Sequence, residues 1–219
     1  MLTITCVYNP ILQSNSYIIE DNGRVVIVDP NDAEKIEELL IEKKWVPDII
    51  LLTHEHCDHI QGLDAIRDKY DVQVIACEAC SKGIGNKRSN MSQIMEVFLY
   101  YLHGERSVIP YPPFICEPTD TCFLTETQFF WQGHRFIMTL VPGHTEGSCC
   151  ICLDDTMLFS GDYLISGEQV QLRLPNGSVE LYEKIGRPWL AELPVGMMIY
   201  PGHGKSYKLT RKAMTAYGL

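Results

Sequence analysis

Long apolar runs are missing from this 219-residue sequence. None approaches the ~18 residues needed to cross a bilayer, which leaves no candidate for a membrane-spanning helix. The start, Met1-Leu2-Thr3-Ile4-Thr5-Cys6, lacks a basic region followed by an apolar stretch, so no secretory signal is read there. Basic residues are scarce: 18 Lys and Arg stand against 28 Asp and Glu, a net charge of -10. That balance argues against nucleic acid or an anionic membrane as the main partner and leaves a small-molecule substrate as the expectation. Linkers, low-complexity tracts and short repeats are absent too, so residues 1–219 are expected to form one domain. The nine cysteines are odd in number and scattered, in a chain too large to need disulfide staples. Reduced thiols in a cytoplasmic protein are the simplest expectation.

What is present begins with alternating strand and helix signals. Leu2 to Tyr8 and Ser16 to Glu20 read as strands, Asp21-Asn22-Gly23 as a hairpin turn, and Arg24 to Val28 as the returning strand. Asn31 or Asp32 can cap a helix carrying Ile36, Leu39 and Leu40 through Lys44, and Pro47 is expected to end that unit. Asp48 to Leu52 reads as a buried strand, Thr53 to Gln61 as a polar loop, Gly62 to Tyr70 as a helix and Val72 to Ala76 as a strand. Ser89 or Asn90 can cap a helix from about Met91 to Leu102. From Thr121 the pattern is mostly β, with hairpins turning at Gln132-Gly133 and Asp154-Asp155. A helix over Ser178 to Ala191 and a last strand over Met197 to Tyr200 follow. Both halves share a layout of strands followed by a helix and a strand, which suggests two stacked sheets flanked by helices.

Five of the seven histidines sit in turns directly after apolar strands. His54, His56 and His59 follow Ile49-Ile50-Leu51-Leu52, His144 follows Met138 to Val141, and His203 follows Met198-Ile199-Tyr200. Asp162 follows Met157-Leu158-Phe159-Ser160. A strand end lets a rigid sheet hold a side chain in place. His54 and His56, two apart, point the same way in extended backbone, while Asp58 and His59 turn toward a second position. Imidazole with carboxylate suits zinc, manganese or iron(II) better than calcium. Six ligands and one bridging carboxylate are too many for a single tetrahedral ion and suit two ions about 4 Å apart.

His54-x-His56-x-Asp58-His59, then Pro142-Gly143-His144-Thr145, Ser160-Gly161-Asp162 and Pro201-Gly202-His203-Gly204, in that order, resembles the metallo-β-lactamase superfamily. Among its branches the pattern is most similar to the short, glyoxalase II-like hydrolases. The resemblance implies an α/β (α+β) fold, a four-layer αββα sandwich with the site along one sheet edge. It implies that His54, His56 and His144 hold one ion, that Asp58, His59 and His203 hold the other, and that Asp162 bridges them. The ions would be two divalent cations, zinc first, with iron or manganese as alternatives. Metal-bound hydroxide would attack a thioester or ester carbonyl, and Asp58 would orient the nucleophile and shuttle a proton to the leaving group.

The remaining residues of chemical interest read as structural. Cys57 reads as packing, Cys77-Glu78-Ala79-Cys80 as a strand end leading into a helix, and Cys149, Cys150 and Cys152 as core thiols. Tyr163 reads as packing before carbonyl polarisation. His103 and His134 match no ligand position. Lys205, Lys208, Arg211 and Lys212 read as a solvated helix face. A mononuclear iron persulfide dioxygenase, held by residues at His54, His144 and Asp162, and a lactonase are the alternatives on this fold. Retention of both complete ligand sets tilts the reading toward hydrolysis, and Asp162 argues against the true zinc β-lactamases. Only 16 residues follow His203, and Val170 to Pro175 departs from the glyoxalase pattern, so a glutathione-binding extension is not expected. Substrate choice is assigned to the segments 81–118 and 170–177.

Overall fold

The computed structural model of this chain describes residues 1–104 and 108–219; the three others fall within the 81–118 segment. The first sheet grows from a meander of β1 (Thr3–Asn9), β2 (Ser14–Asp21) and β3 (Arg24–Val28). Asn22 and Gly23 both take positive φ, 53° and 78°, as a tight hairpin turn with right-handed strand twist requires. Asp32 then caps α1 (Ala33–Lys43), accepting from the Lys35 amide at 3.2 Å. Parallel crossovers add β4 (Val46–Leu51), β5 (Gln73–Cys77) and β6 (Thr121–Phe123), giving the order β1-β2-β3-β4-β5-β6. Between them lie α2 (Cys57–Ile60), α3 (Leu63–Lys69), α4 (Glu78–Ile84) and α5 (Met95–Leu102).

The second sheet runs in the order β12-β11-β10-β9-β8-β7. Its strands are β7 (Glu126–Trp131), β8 (His134–Leu140), β9 (Cys149–Leu153), β10 (Met157–Gly161), β11 (Met198–Pro201) and β12 (Tyr207–Lys208). Strand alternation assigns its two faces. Cys149, Ile151 and Leu153 of β9 join Phe136, Met138 and Phe159 in a core shared with the first sheet. Cys150 turns the other way, to Leu190 of α7 (Arg187–Ala191) and Met214 of α8 (Arg211–Ala216). On the far side of the first sheet, Ile36, Leu40, Leu63 and Ile66 bury α1 and α3 in the shared core. The layers are thus helix, sheet, sheet, helix, the αββα sandwich expected. Among the described residues no helix is long and apolar enough to cross a membrane.

Several local expectations are corrected. Pro47 lies inside β4, not at its boundary; with no N–H to give, it sits where the register with β3 jumps from Pro47 to Ile49. The Thr53–Gln61 loop contains the helical turn α2, so Asp58 and His59 leave extended backbone altogether. The helix expected from Met91 starts at Met95. Met91 takes φ 62°, and the Asn90 side chain donates to the Ile84 and Phe114 carbonyls instead of capping a helix. Ser178 does cap α6 (Val179–Leu181), but a π-helical turn over Tyr182–Gly186 separates it from α7. Pro188 cannot donate to the carbonyl one turn back, so a regular ladder cannot run through. The basic cluster is not one helix face: Lys205 is in a loop, Lys208 in β12, and only Arg211 and Lys212 in α8.

Candidate metal centre

All seven side chains singled out by the sequence meet at the C-terminal ends of β4, β8, β10 and β11. Backbone conformation explains how they converge. Beyond β4, His54 and His56 extend into the cleft and α2 then swings Asp58 and His59 to the second side. β10 ends at Gly161 with φ 53°, and a side chain there would strike Thr53. β11 runs out into Gly202, the residue after Pro201, where a Cβ would lie 2.5 Å from the His59 ring and 2.6 Å from Asp162 Oδ1. Only glycine lets that backbone pass so close to the cluster.

Two groups of donors form with Asp162 between them. His56 Nδ1 and His144 Nε2 are 3.1 Å apart. Asp162 Oδ2 lies 3.3 Å from His144 Nε2 and 4.0 Å from His54 Nε2. Its other oxygen, Oδ1, lies 3.3 Å from His59 Nε2 and 3.5 Å from His203 Nε2. Asp58 Oδ2 completes that side, 3.3 Å from His203 Nε2 and 3.6 Å from His59 Nε2. The carboxylate of Asp162 therefore offers one oxygen to each group.

The rings are oriented from behind. Thr53 donates its hydroxyl to Asp29 Oδ2 at 2.6 Å, so its oxygen accepts from His54 Nδ1 at 3.0 Å. His59 Nδ1 donates to Asp29 Oδ2 at 3.1 Å, His144 Nδ1 to the Gln171 carbonyl at 2.8 Å, and His203 Nδ1 to the Gln13 carbonyl at 2.7 Å. With the proton fixed on Nδ1, each of these rings presents an Nε2 lone pair to the centre. Buried His54 Nε2, His59 Nε2 and Asp162 Oδ1 have no hydrogen-bond partner. Buried polar atoms left so are costly unless something binds them, and a cation accounts for all three.

The electrostatics agree. Burial disfavours charge on His54, His56 and His144 and lowers their pKa values, that of His56 to about 3, leaving neutral imidazoles ready to ligate. Burial would also depress His59 and His203, but the carboxylates of Asp58 and Asp162 beside them raise both, His203 to about 9. Burial works to raise Asp58 and Asp162, yet neighbouring histidines, His59 and His203 above all, hold both below the ordinary carboxylate range. The paired carboxylates thus favour positive charge beside His59 and His203. A divalent cation there would supply that charge and leave each ring its Nδ1 proton alone.

Two supporting residues escaped the sequence reading. Asp29 takes part only as a strand-breaking turn in the sequence, yet its carboxylate receives Thr53 N at 2.7 Å, the Thr53 hydroxyl and the His59 ring. It sits at φ 53°, in a turn directly after an apolar strand, and that placement at a strand end is the one local signal in the sequence. Glu55, between the two leading histidines, is buried and turned away from them. It accepts from Thr145 Oγ1 at 2.9 Å and from Asn176 at 3.0 Å, joining the His144 loop to the 170–177 segment. Burial raises its carboxyl to about 7. Tyr163 is a packing and tethering residue as expected: its hydroxyl donates to the Val141 carbonyl and accepts the His144 amide. Cys57 is buried, and Cys77 ends β5 and accepts the Cys80 amide at the start of α4. His134 pairs with Asp154 and His103 with the Ile11 carbonyl, both away from the centre.

Comparison with known proteins places this arrangement. Residues 9–213 match the family described as the metallo-beta-lactamase superfamily. A hydroxyacylglutathione hydrolase of Klebsiella pneumoniae is 31% identical over 150 residues, which cover 68% of this chain and 45% of that protein. The match thus spans less than half the length of that relative. A probable metallo-hydrolase of Streptococcus pyogenes is 29% identical over 203 residues, 90% of this chain and 82% of that protein. The crystal structure of BLEG-1, a B3 metallo-beta-lactamase, superposes with a TM-score of 0.78 at 26% identity, covering 95% of this chain and 94% of that one. From a family match over nearly the whole chain and a shared fold, it follows that this protein belongs to the metallo-β-lactamase superfamily.

Proposed function

We propose that this protein is a dinuclear metal-dependent hydrolase acting on a thioester or ester carbonyl of a small molecule. His54, His56 and His144 would hold one ion, Asp58, His59 and His203 the other, and Asp162 both. The observation that carries the reading is the split of Asp162, with Oδ2 toward His144 and His54 and Oδ1 toward His59 and His203. Five imidazoles and two carboxylates suit zinc, with iron or manganese as alternatives. Bound there, the ions would acidify a water molecule and polarise a carbonyl.

The residues of the chain supply the rest. His56, Asp58, His144, Asp162 and His203 line an open cavity of about 910 Å³, while His54 and His59 lie beneath its floor. That cavity gives a substrate carbonyl its approach to the centre. Asp58 faces it as an ionised carboxylate, placed to take a proton from the attacking water and return it to the leaving sulfur or oxygen. The hydrogen bonds behind the rings fix the geometry before substrate arrives, so little reorganisation is required during reaction. The similarity to a hydroxyacylglutathione hydrolase and to a probable metallo-hydrolase supports this reaction class. We read residues 1–219 as one hydrolase domain, supported by a core that both sheets share.

The test is a panel of thioester, ester, lactone, β-lactam and phosphodiester substrates with zinc-loaded protein. Thioester or ester turnover is expected, reduced to background in His56→Ala and in Asp162→Ala while circular dichroism stays unchanged. Full activity in either variant would overturn the two-metal reading. One bound iron with oxygen uptake on a persulfide would replace it with the dioxygenase.

A further inference from the structure

The cavity above the metal centre has two unlike walls. One is apolar: Leu12, Met91, Met95, Phe98, Leu102 and Leu174 line it. Met95, Phe98 and Leu102 stand at i, i+3 and i+7 of α5, so one stripe of that helix faces the cavity. Leu99, one turn on from Met95 and flanking that stripe, is fully buried and anchors the helix. Phe98 and Leu102 remain 43% and 47% exposed, although they are large apolar side chains beside a concave site. The other wall is polar and open to solvent: Glu168, Gln169, Lys205 and Ser206 line it beside His203.

The geometry points to an acyl thioester or ester with an extended apolar acyl chain as the substrate class, the chain lying along the α5 stripe. This inference rests on the hydrolase reading and adds the substrate to it. Three observations carry it. The apolar wall is continuous with the floor formed by His56, Asp58, His144 and Asp162, so a chain on it leads directly to the reacting carbon. A cavity of about 910 Å³ is far larger than an acetyl group needs and falls among pockets that hold drug-sized ligands. The two walls also sort the two halves of the substrate. Hydrolysis forms a C–O bond from water to the carbonyl carbon and breaks the C–S or C–O bond to the leaving group, which departs with a proton as thiol or alcohol. Charge developing on that leaving atom is best placed toward Lys205 and solvent, whereas the acyl chain gains from leaving water. Two methionines in the wall suit chains of varied shape, because the thioether side chain is flexible and polarizable.

The experiment uses zinc-loaded protein and thioesters of one thiol with straight acyl chains from acetyl to octanoyl. kcat/KM is expected to rise roughly three- to fourfold per added methylene, the factor that burial of one methylene gives. Phe98→Ser and Leu102→Ser, both at partly exposed positions, are expected to lower the octanoyl-to-acetyl ratio by roughly tenfold. In parallel, calorimetry with acetate, butyrate, hexanoate and octanoate reads the apolar wall without turnover. Kd should fall with chain length and rise again in Phe98→Ser. Rates and affinities both flat across the series would overturn the assignment. Affinities that climb with chain length while no thioester or ester is hydrolysed would uphold the apolar subsite and sink the hydrolase reading instead.

Discussion

At the scale of single residues, the centre depends on groups that never face the cavity. Asp29 is the strongest case, because one carboxylate fixes both the Thr53 hydroxyl, which in turn orients His54, and the His59 ring directly. Removing such a partner from a ligating histidine weakens metal binding by roughly 10- to 100-fold. Asp29→Asn should therefore bind its more weakly held ion in that range less tightly, read by competition with a chromophoric chelator. An unchanged affinity would show that the ring is held by packing alone. The glycines act in the opposite sense. At Gly202 the absence of a Cβ is the requirement, since any side chain would overlap His59 and Asp162.

At the scale of elements, the candidate ligands are legible because each follows an apolar strand, and strand ends are where sheets present side chains. His54, His144, Asp162 and His203 are found by that rule alone. Asp29 and Glu55 are not, because a carboxylate that orients a ring looks in sequence like any acidic turn residue. Their partners are remote in sequence: Thr53 and His59 stand 24 and 30 positions from Asp29, and Asn176 stands 121 from Glu55. Element boundaries fail where long-range bonds override local preference. Asn90 is a good helix cap in isolation, yet it is spent on the Ile84 and Phe114 carbonyls, and the helix starts later. The π-helical turn at Tyr182–Gly186 likewise answers to tertiary approach, since Gly186 lies against the Pro142 carbonyl.

The β9–β10 hairpin shows element-level chemistry outside the site. Asp154 and Asp155 both take positive φ, and Asp154 accepts from the Arg135 amide and pairs with His134 at 2.6 Å. Slight burial would raise the Asp154 carboxyl, but the His134 ring and the Arg135 amide hold it below its ordinary value. A carboxyl with a depressed folded pKa contributes stability above its unfolded pKa and loses that contribution as pH falls through the folded value. Asp154→Asn keeps the turn geometry and should cost about 0.5 kcal/mol at pH 6, the scale of a partly exposed pair. The cost should shrink toward zero by pH 3, measured by urea unfolding at both pH values. A cost that stays constant over that range would assign the effect to the turn and not to the charge.

At the scale of the whole molecule, the two sheets are held in register at the metal edge. The Asn15 amide donates to the Gly202 carbonyl at 2.7 Å, and its side chain donates to the Pro201 carbonyl at 3.0 Å. The first sheet thereby carries His54, His56, Asp58 and His59, the second His144, Asp162 and His203, and neither half holds the whole candidate set. The most direct measurement is the rate of thioester hydrolysis as zinc is titrated into metal-free protein, with bound metal counted at each point. The rate should keep rising until two ions are bound per chain. A rate complete at one ion per chain, or hydrolysis that survives with none bound, would contradict the two-metal account.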